Sequence, residues 1–201
     1  MADTWRLFIA IELPSDILSA LSEIQTRLKQ QVPPRTVRWV DPKGIHLTLK
    51  FLGDVPLFQR STIEHALAEI APRHTAFHLT AQGLGCFPNL KRPRVVWVGM
   101  QGQLQTLSAV HDDVEAWIAP MGYPAEERAF NPHLTLGRVN RDADRENITR
   151  LGAIIEHTSS GEAQSWQVET ISLMRSELKP GGAVYTELFR APLRQPDPDT
   201  R

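Results

Sequence analysis

The tetrapeptide His-Leu-Thr-Leu occurs twice in this chain of 201 residues, at positions 46–49 and 133–136. In both copies leucine alternates with a polar residue, a pattern typical of a β-strand with one buried and one exposed face. The histidine and the threonine of each copy are two residues apart, so their side chains point to the same polar face. A strand that is repeated in this way predicts a fold built from two related halves.

The hydrophobic pattern on either side of the two copies supports a duplication. Each half predicts a strand, a helix, the H-L-T-L strand, a second helix and a further strand. The other strands are expected at 7–13 and 77–84 in the first half, and at 95–100, 166–176 and 184–189 in the second. Neither half is expected to close a hydrophobic core alone.

We therefore predict an α+β fold in which residues 1–194 form one bilobed, internally duplicated domain. Two mostly antiparallel sheets are expected to line a central groove, with the helices outside. The lobes are expected to be built roughly from the two halves of the sequence. The tail at 195–201 is polar and proline-rich, and it is predicted to be disordered.

The charge balance narrows the range of partners. The chain has 22 Lys and Arg against 23 Asp and Glu, for a formal net charge of -1. A protein that coats long nucleic acids by bulk charge is excluded, but a short or end-bound nucleic acid remains open because a local patch can still be basic. Cys86 is the single cysteine, so an internal disulfide is excluded. Because the sequence has no apolar segment long enough to span a membrane, we expect a cytoplasmic protein with no membrane partner. We also expect it to be a monomer.

The polar residues of the repeated strand suggest acid–base chemistry. In a fold with two-fold pseudo-symmetry, His46 and His133 are expected to face each other across the groove. A neutral and a protonated imidazole suit in-line displacement at phosphorus, because the pKa of histidine lies near working pH. Thr48 and Thr135 would donate hydrogen bonds to the phosphate oxygens, and Arg138 would hold these oxygens with its planar guanidinium.

Other interpretations of the motif are weaker. One copy alone would more often be structural, whereas two copies in equivalent places favour a function. A metal site would need a third ligand at short spacing, which neither motif has. The remaining histidines are expected on helix faces or strand ends, as surface or core residues; they are His65, His74, His78, His111 and His157.

The segments around the motifs resemble a known family, the bacterial RNA 2′,3′-cyclic phosphodiesterases, also called 2′-5′ RNA ligases, within the two-histidine (2H) phosphoesterases. The similar segments are LFIAIELP, VRWVDPKGIHLTLKFLGDV, GLGCFPN, PRVVWVGM, ERAFNPHLTLGRV and ISLMRSEL, together with Tyr185. They extend over nearly the whole chain outside the tail.

The resemblance implies hydrolysis of a terminal 2′,3′-cyclic phosphate on RNA to a 2′-phosphate, without a metal or nucleotide cofactor. It implies that His46 is the proton donor to the leaving O3′ and that His133 is the proton acceptor that activates water. Thr48 and Thr135 would hold the phosphate together with Arg138. A weak 2′-5′ joining activity belongs to some members of the family.

The resemblance also implies that Phe51 stacks on the terminal base. Phe51 and Arg138 each lie five residues after a histidine, so an ideal strand would turn them to the opposite face. A bulge or a strong twist would be needed to bring them into the groove, and Gly137 favours one before Arg138. For Phe51 a place in the core is an equal alternative. The basic loop at 91–94 is expected to be a solvated turn rather than an RNA contact.

Three functions remain open at this point. The first is a phosphodiesterase that acts on cyclic phosphate ends of RNA. The second is a 2′-5′ RNA ligase, or a phosphodiesterase for small cyclic nucleotides such as an ADP-ribose cyclic phosphate. The third is a module that binds phosphorylated RNA ends without turnover, and the retention of both histidines and both threonines argues against it.

Overall fold

The computed structural model describes residues 3–180 and 182–196, so most of the predicted disordered tail, at 197–201, lies outside the described residues. The elements follow one another as β1 (Thr4–Ile11), α1 (Ser15–Gln31), β2 (Val37–Trp39), β3 (Leu47–Pro56), α2 (Arg60–Ile70), β4 (Phe77–Phe87), β5 (Val95–Gly102), α3 (Leu104–Ile118), β6 (His133–Val139), α4 (Arg145–His157), β7 (Gln164–Val168), β8 (Thr170–Lys179) and β9 (Gly182–Pro192). None of the helices within the described ranges combines the length and the apolar character that a bilayer crossing requires.

The strands form two antiparallel sheets, and the predicted α+β class is confirmed. The first sheet has the order β3-β1-β8-β9, and the second has the order β2-β6-β5-β4-β7. One H-L-T-L strand lies in each sheet: β3 at the edge of the first, and β6 between β2 and β5 in the second. The helices cover the outer faces, with α2 and α3 behind the first sheet and α1 and α4 behind the second.

The two sheets do not follow the two halves of the sequence, so the expectation that each lobe comes from one half is corrected. The last strand of the first half, β4, pairs with β5, whereas β8 pairs with β1. β4 lies in the second sheet for a local reason, because residues 88–94 join β4 and β5 as a hairpin in which Phe87 pairs with Val95. The predicted strand at 166–176 is split at Glu169, where the chain passes from the second sheet to the first.

The leucines of both motifs face the helices, which leaves the histidines and threonines on the groove face. Leu47, Leu49, Leu134 and Leu136 are buried, and they belong to one apolar cluster that includes residues of both sheets. We propose that the two lobes fold as a single domain, since each sheet contains strands from both halves and both sheets contribute to the same core.

A buried ion pair joins β3 to the second half of the chain. The Lys50 side chain is 1% exposed, and its Nζ donates to Oε2 of Glu115 in α3 at 2.5 Å. The same ammonium donates to the carbonyl of Pro124 at 3.0 Å, in the segment that leads to β6. A buried ammonium is stable only when it is paired and hydrogen-bonded, so this contact fixes α3 and the following segment to β3.

Removing one partner of this pair should destabilise the fold more than removing both. Glu115→Leu leaves the Lys50 charge buried without a counter-charge, and we expect a loss of about 3–5 kcal/mol in the free energy of unfolding. The double variant Lys50→Met/Glu115→Leu should recover most of that loss. Urea unfolding followed by circular dichroism measures both, with the exposed Glu156→Gln as the control. A double variant that is no more stable than Glu115→Leu would contradict a coupled pair.

Candidate active site

The two motif histidines are oriented by equivalent backbone hydrogen bonds. Nδ1 of His46 donates to the carbonyl of Gly44 at 2.8 Å, and Nδ1 of His133 donates to the carbonyl of Asn131 at 2.7 Å. In both cases the acceptor lies two residues before the histidine. Because the carbonyl holds the proton on Nδ1, Nε2 of each ring is left available for chemistry in the groove.

Each imidazole also packs against two aromatic rings. Phe8 of β1 stacks on His46 with ring centroids 4.6 Å apart, and Tyr185 of β9 meets the same imidazole edge-on at 4.9 Å. On the other sheet, Phe87 meets His133 edge-on at 4.9 Å, and Trp97 of β5 lies 6.5 Å away. These four aromatic residues were not predicted as site residues. Phe8 and Trp97 lie in strands that pair with a motif strand, whereas Tyr185 and Phe87 lie in strands farther along each sheet, and sequence alternation gives no signal for them.

The pKa values of both histidines are lowered. Burial lowers the pKa of His46 below its ordinary value, against the opposing effect of the Gly44 carbonyl. Burial is also the main cause of the lowered pKa of His133, and the nearby positive charge of Arg138 lowers it further. Both imidazoles therefore favour the neutral form in the absence of an anion.

A β-bulge follows the threonine in each motif strand. In β3, Lys50 pairs with Ile9 and Thr48 pairs with Ala10, so one residue lies between them without a partner. The register of β6 is interrupted in the same way, between the pair of Gly137 with Val96 and the pair of the motif threonine with Trp97. Each bulge places two successive residues on the buried face of the sheet and reverses the alternation beyond that point.

The bulges bring Phe51 and Arg138 to the groove face. Strand alternation in the sequence makes such a bulge the condition for either residue to take part in the site. The Phe51 side chain is 54% exposed and lies 5.9 Å from the ring of Phe8, so the alternative of a core aromatic is wrong. Arg138 is exposed, and Gly137 before it is buried. A Cβ on Gly137 would lie 2.6 Å from Val37 of β2, so only glycine allows β2 to pack here.

The motif threonines lie on the groove face beside their histidines. Thr48 and Thr135 are partly exposed and pair with Ala10 of β1 and Trp97 of β5, respectively. The structure thus places the six predicted site residues on the groove faces of the two sheets, one histidine and one threonine on each. Among residues 3–180 and 182–196, no cluster of three or more His, Cys, Asp or Glu side chains is arranged to hold a metal ion.

The segment that orients His133 is anchored on α3. Phe130, near the start of that segment, stacks on His111 with ring centroids 4.0 Å apart and ring planes 12° apart. Nε2 of His111 lies 3.8 Å from Oε1 of Glu115, the partner of Lys50. A chain of contacts therefore runs from β3 to the carbonyl that holds this histidine. The sequence alone suggested only a surface or core role for His111.

The family model described as LigT like phosphoesterase matches two consecutive segments of the chain, residues 11–97 and 98–185. Each segment contains one of the two motifs. The chain belongs to the LigT-like phosphoesterase family. The two matches confirm the duplication. The two halves of this LigT-like phosphoesterase are joined by an exchange of strands: β4 of the first half lies in the second sheet, and β8 of the second half lies in the first.

Relatives of this LigT-like phosphoesterase cover nearly its whole length. An RNA 2′,3′-cyclic phosphodiesterase from Methanothermobacter thermautotrophicus is 34% identical over 187 residues, 92% of this chain and 98% of the relative. Another, from Thermus thermophilus, is 34% identical over 197 residues, 94% of this chain and 90% of the relative. The crystal structure of E. coli LigT complexed with 3′-AMP has a TM-score of 0.71 and 30% identity, and the match covers 94% of this chain and 98% of that protein. The similarity therefore spans both sheets.

Arg138→Gln should raise the pKa of His133, because it removes a positive charge that disfavours the imidazolium. Arg138→Lys keeps the charge and should leave that pKa nearer to the wild-type value, so it is the matched control. NMR titration of the His133 ring resonances measures the pKa directly. Equal His133 pKa values in the wild type and in Arg138→Gln would contradict the placement of the guanidinium beside this ring.

Proposed function

We propose that this protein is an RNA 2′,3′-cyclic phosphodiesterase that opens terminal cyclic phosphates by acid–base catalysis. The observation that carries the proposal is the pair of equivalently held imidazoles, His46 and His133, each with Nε2 available on the groove face of its own sheet. Relatives that match over most of this chain are named RNA 2′,3′-cyclic phosphodiesterase, which supports the choice of substrate.

His133 acts as the base in this proposal. Its lowered pKa keeps Nε2 unprotonated near neutral pH, and the carbonyl of Asn131 holds the proton on Nδ1. Nε2 accepts a proton from water as the water oxygen forms a bond to phosphorus. Arg138 lies close enough for its positive charge to lower the pKa of His133. Its guanidinium can also neutralise the phosphate oxygens that gain charge in the transition state.

His46 acts as the acid on the opposite side of phosphorus. In-line geometry requires the donor beside the leaving oxygen and the base behind the attacking water. The P–O3′ bond breaks as Nε2 of His46 gives its proton to O3′, so that one water is consumed and a 2′-phosphate with a free 3′-hydroxyl is formed. Burial lowers the pKa of His46, and the negative charge of the bound phosphate opposes this effect by favouring the imidazolium.

The differences between the two motifs give the substrate a direction. The first motif is followed by the exposed ring of Phe51, and the equivalent position after the second carries the guanidinium of Arg138. A base that stacks on Phe51 places the ribose near His46, and the arginine holds the phosphate near His133. Stacking contacts of this kind tolerate any base. Thr48 and Thr135 complete the binding of the phosphate oxygens from the two sheets.

Replacing either histidine should remove most of the activity. His46→Ala and His133→Ala are each expected to lower kcat by about 10²–10⁴-fold, the usual loss for a general acid or base. The double variant should be little worse than either single variant, because the two rings act as a unit. The assay uses a nucleoside 2′,3′-cyclic phosphate with chelator present, since we propose that neither a metal nor a nucleotide cofactor is needed.

The control for these variants is His65→Ala, an exposed histidine on α2. Wild-type turnover in either active-site variant would contradict the assigned roles. Loss of wild-type activity in chelator, with recovery on addition of one divalent ion, would contradict the cofactor-free mechanism. Joining of RNA ends without hydrolysis would favour a ligase instead.

The product should carry a 2′-phosphate, because the proposed orientation makes O3′ the leaving atom. Hydrolysis in ¹⁸O-labelled water, followed by separation of the 2′- and 3′-phosphates, measures this outcome. The label is expected on phosphorus and not on the ribose. A predominantly 3′-phosphate product would show that His46 does not lie beside O3′, and that Phe51 does not set the orientation of the nucleoside.

A further inference from the structure

A strongly basic cavity lies next to the second motif strand. Its volume is about 1150 Å³, and its walls come from β2, the β4–β5 connection, β6, the segment after β6 and the start of α4. Apart from Arg138, the cations that line it are Arg38, Lys91, Arg92, Arg94, Arg141 and Arg145. No Asp or Glu is among the described residues that line this cavity, although the whole chain has a net charge of -1.

The fold holds these cations close together at a cost in repulsion. Arg38 pairs directly with Arg138 across β2 and β6, and like charges in this position destabilise a sheet. Within the described ranges, none of the cations that line the cavity forms an ion pair with a carboxylate. A site of this kind gains stability when it binds an anion.

The basic loop of the cavity is a fixed part of the structure. Oδ1 of Asn89 accepts hydrogen bonds from the backbone N–H groups of Lys91 and Arg92, each at 3.1 Å. The backbone N–H of Arg94 donates to Phe87 at 2.7 Å, and its carbonyl accepts from Val139 of β6 at 2.9 Å. The loop is a turn with exposed cationic side chains, as predicted, and its backbone is also bonded to β6 beside Arg138.

The cavity and the proposed active site share Arg138. This side chain lines the cavity, and its charge acts on the pKa of His133. Because paired residues of an antiparallel sheet point to the same face, Arg38 extends the positive charge away from the motif along that face. An anionic chain that ends at His133 would therefore pass these guanidinium groups.

We propose that the basic cavity binds the phosphodiester backbone of the nucleotides that precede the terminal cyclic phosphate. The inference rests on the proposed function and adds where the RNA strand next to the cyclic end is held. The cavity walls offer guanidinium and ammonium donors, which bind phosphate oxygens and carry little information on base sequence. Turnover should thus rise with RNA length and depend weakly on the upstream bases.

The test compares substrates that share one terminal nucleotide. kcat/KM is measured for a nucleoside 2′,3′-cyclic phosphate and for cyclic-ended RNAs of increasing length, over a range of potassium chloride concentrations. We expect kcat/KM to increase with length at low salt. For the longer RNAs, log kcat/KM should fall with log salt by about 0.7 for each phosphate contact.

The decisive variant is Arg92→Gln/Arg94→Gln/Arg145→Gln, which leaves Arg138 intact. It should hydrolyse the nucleoside cyclic phosphate at the wild-type rate, while the gain in kcat/KM with RNA length and the steep salt dependence are lost. The matched control is Arg6→Gln/Arg27→Gln/Lys179→Gln, which removes the same net charge at exposed positions outside the cavity. This control should behave as the wild type with every substrate.

The possible failures can be distinguished. If the wild type does not turn over the nucleoside cyclic phosphate or any RNA, the proposed function fails. If nucleoside and RNA substrates have equal kcat/KM in the wild type, or if the cavity variant keeps the length dependence, the proposed function stands and the basic cavity does not bind RNA. If the cavity variant instead loses activity on the nucleoside substrate, the cavity belongs to the catalytic phosphate site, and the inference is also overturned.

Discussion

The β-bulge that follows the threonine of each motif is the constraint on which this site depends. Without it, the residue five positions after each histidine would lie on the far face of the sheet. The bulge also places two successive residues on the buried face of the sheet, and the second of these residues differs between the two strands. β6 places Gly137 there, against β2, whereas β3 places the ammonium of Lys50 there, which Glu115 neutralises.

The buried pair has consequences beyond β3. Glu115 lies on α3, next to His111, whose ring supports Phe130. The segment that begins there supplies the carbonyl that orients His133. The geometry of the second histidine therefore depends on a charge in the first motif strand. The exchange of β4 and β8 between sheets makes the same link at the level of topology, since neither lobe is complete without the other half.

The two motif strands share their histidines, threonines and bulges, but the chemistry around them differs. Phe8, Phe51 and Tyr185 make the face around the first motif aromatic. Arg138, which follows the second motif, also lines a cavity with six further cations. A substrate with a stacking base and an anionic chain can use both faces in one orientation. In the proposed function, this asymmetry, more than the paired histidines, gives the bound substrate its orientation.

The sequence alone determined the motif, its duplication and the α+β class. Alternation with a period of two depends only on neighbouring residues, so it was enough to place each histidine and threonine of the motifs on one polar face. Sequence alternation could not decide whether Phe51 lies in the groove or in the core, because a bulge is defined by the pairing with the partner strand. It also missed the partner of Lys50, the exchange of β4 and β8, and the basic cavity. Each of these joins segments far apart in the chain, and only the tertiary structure decides which distant strands pair and where separate charges add.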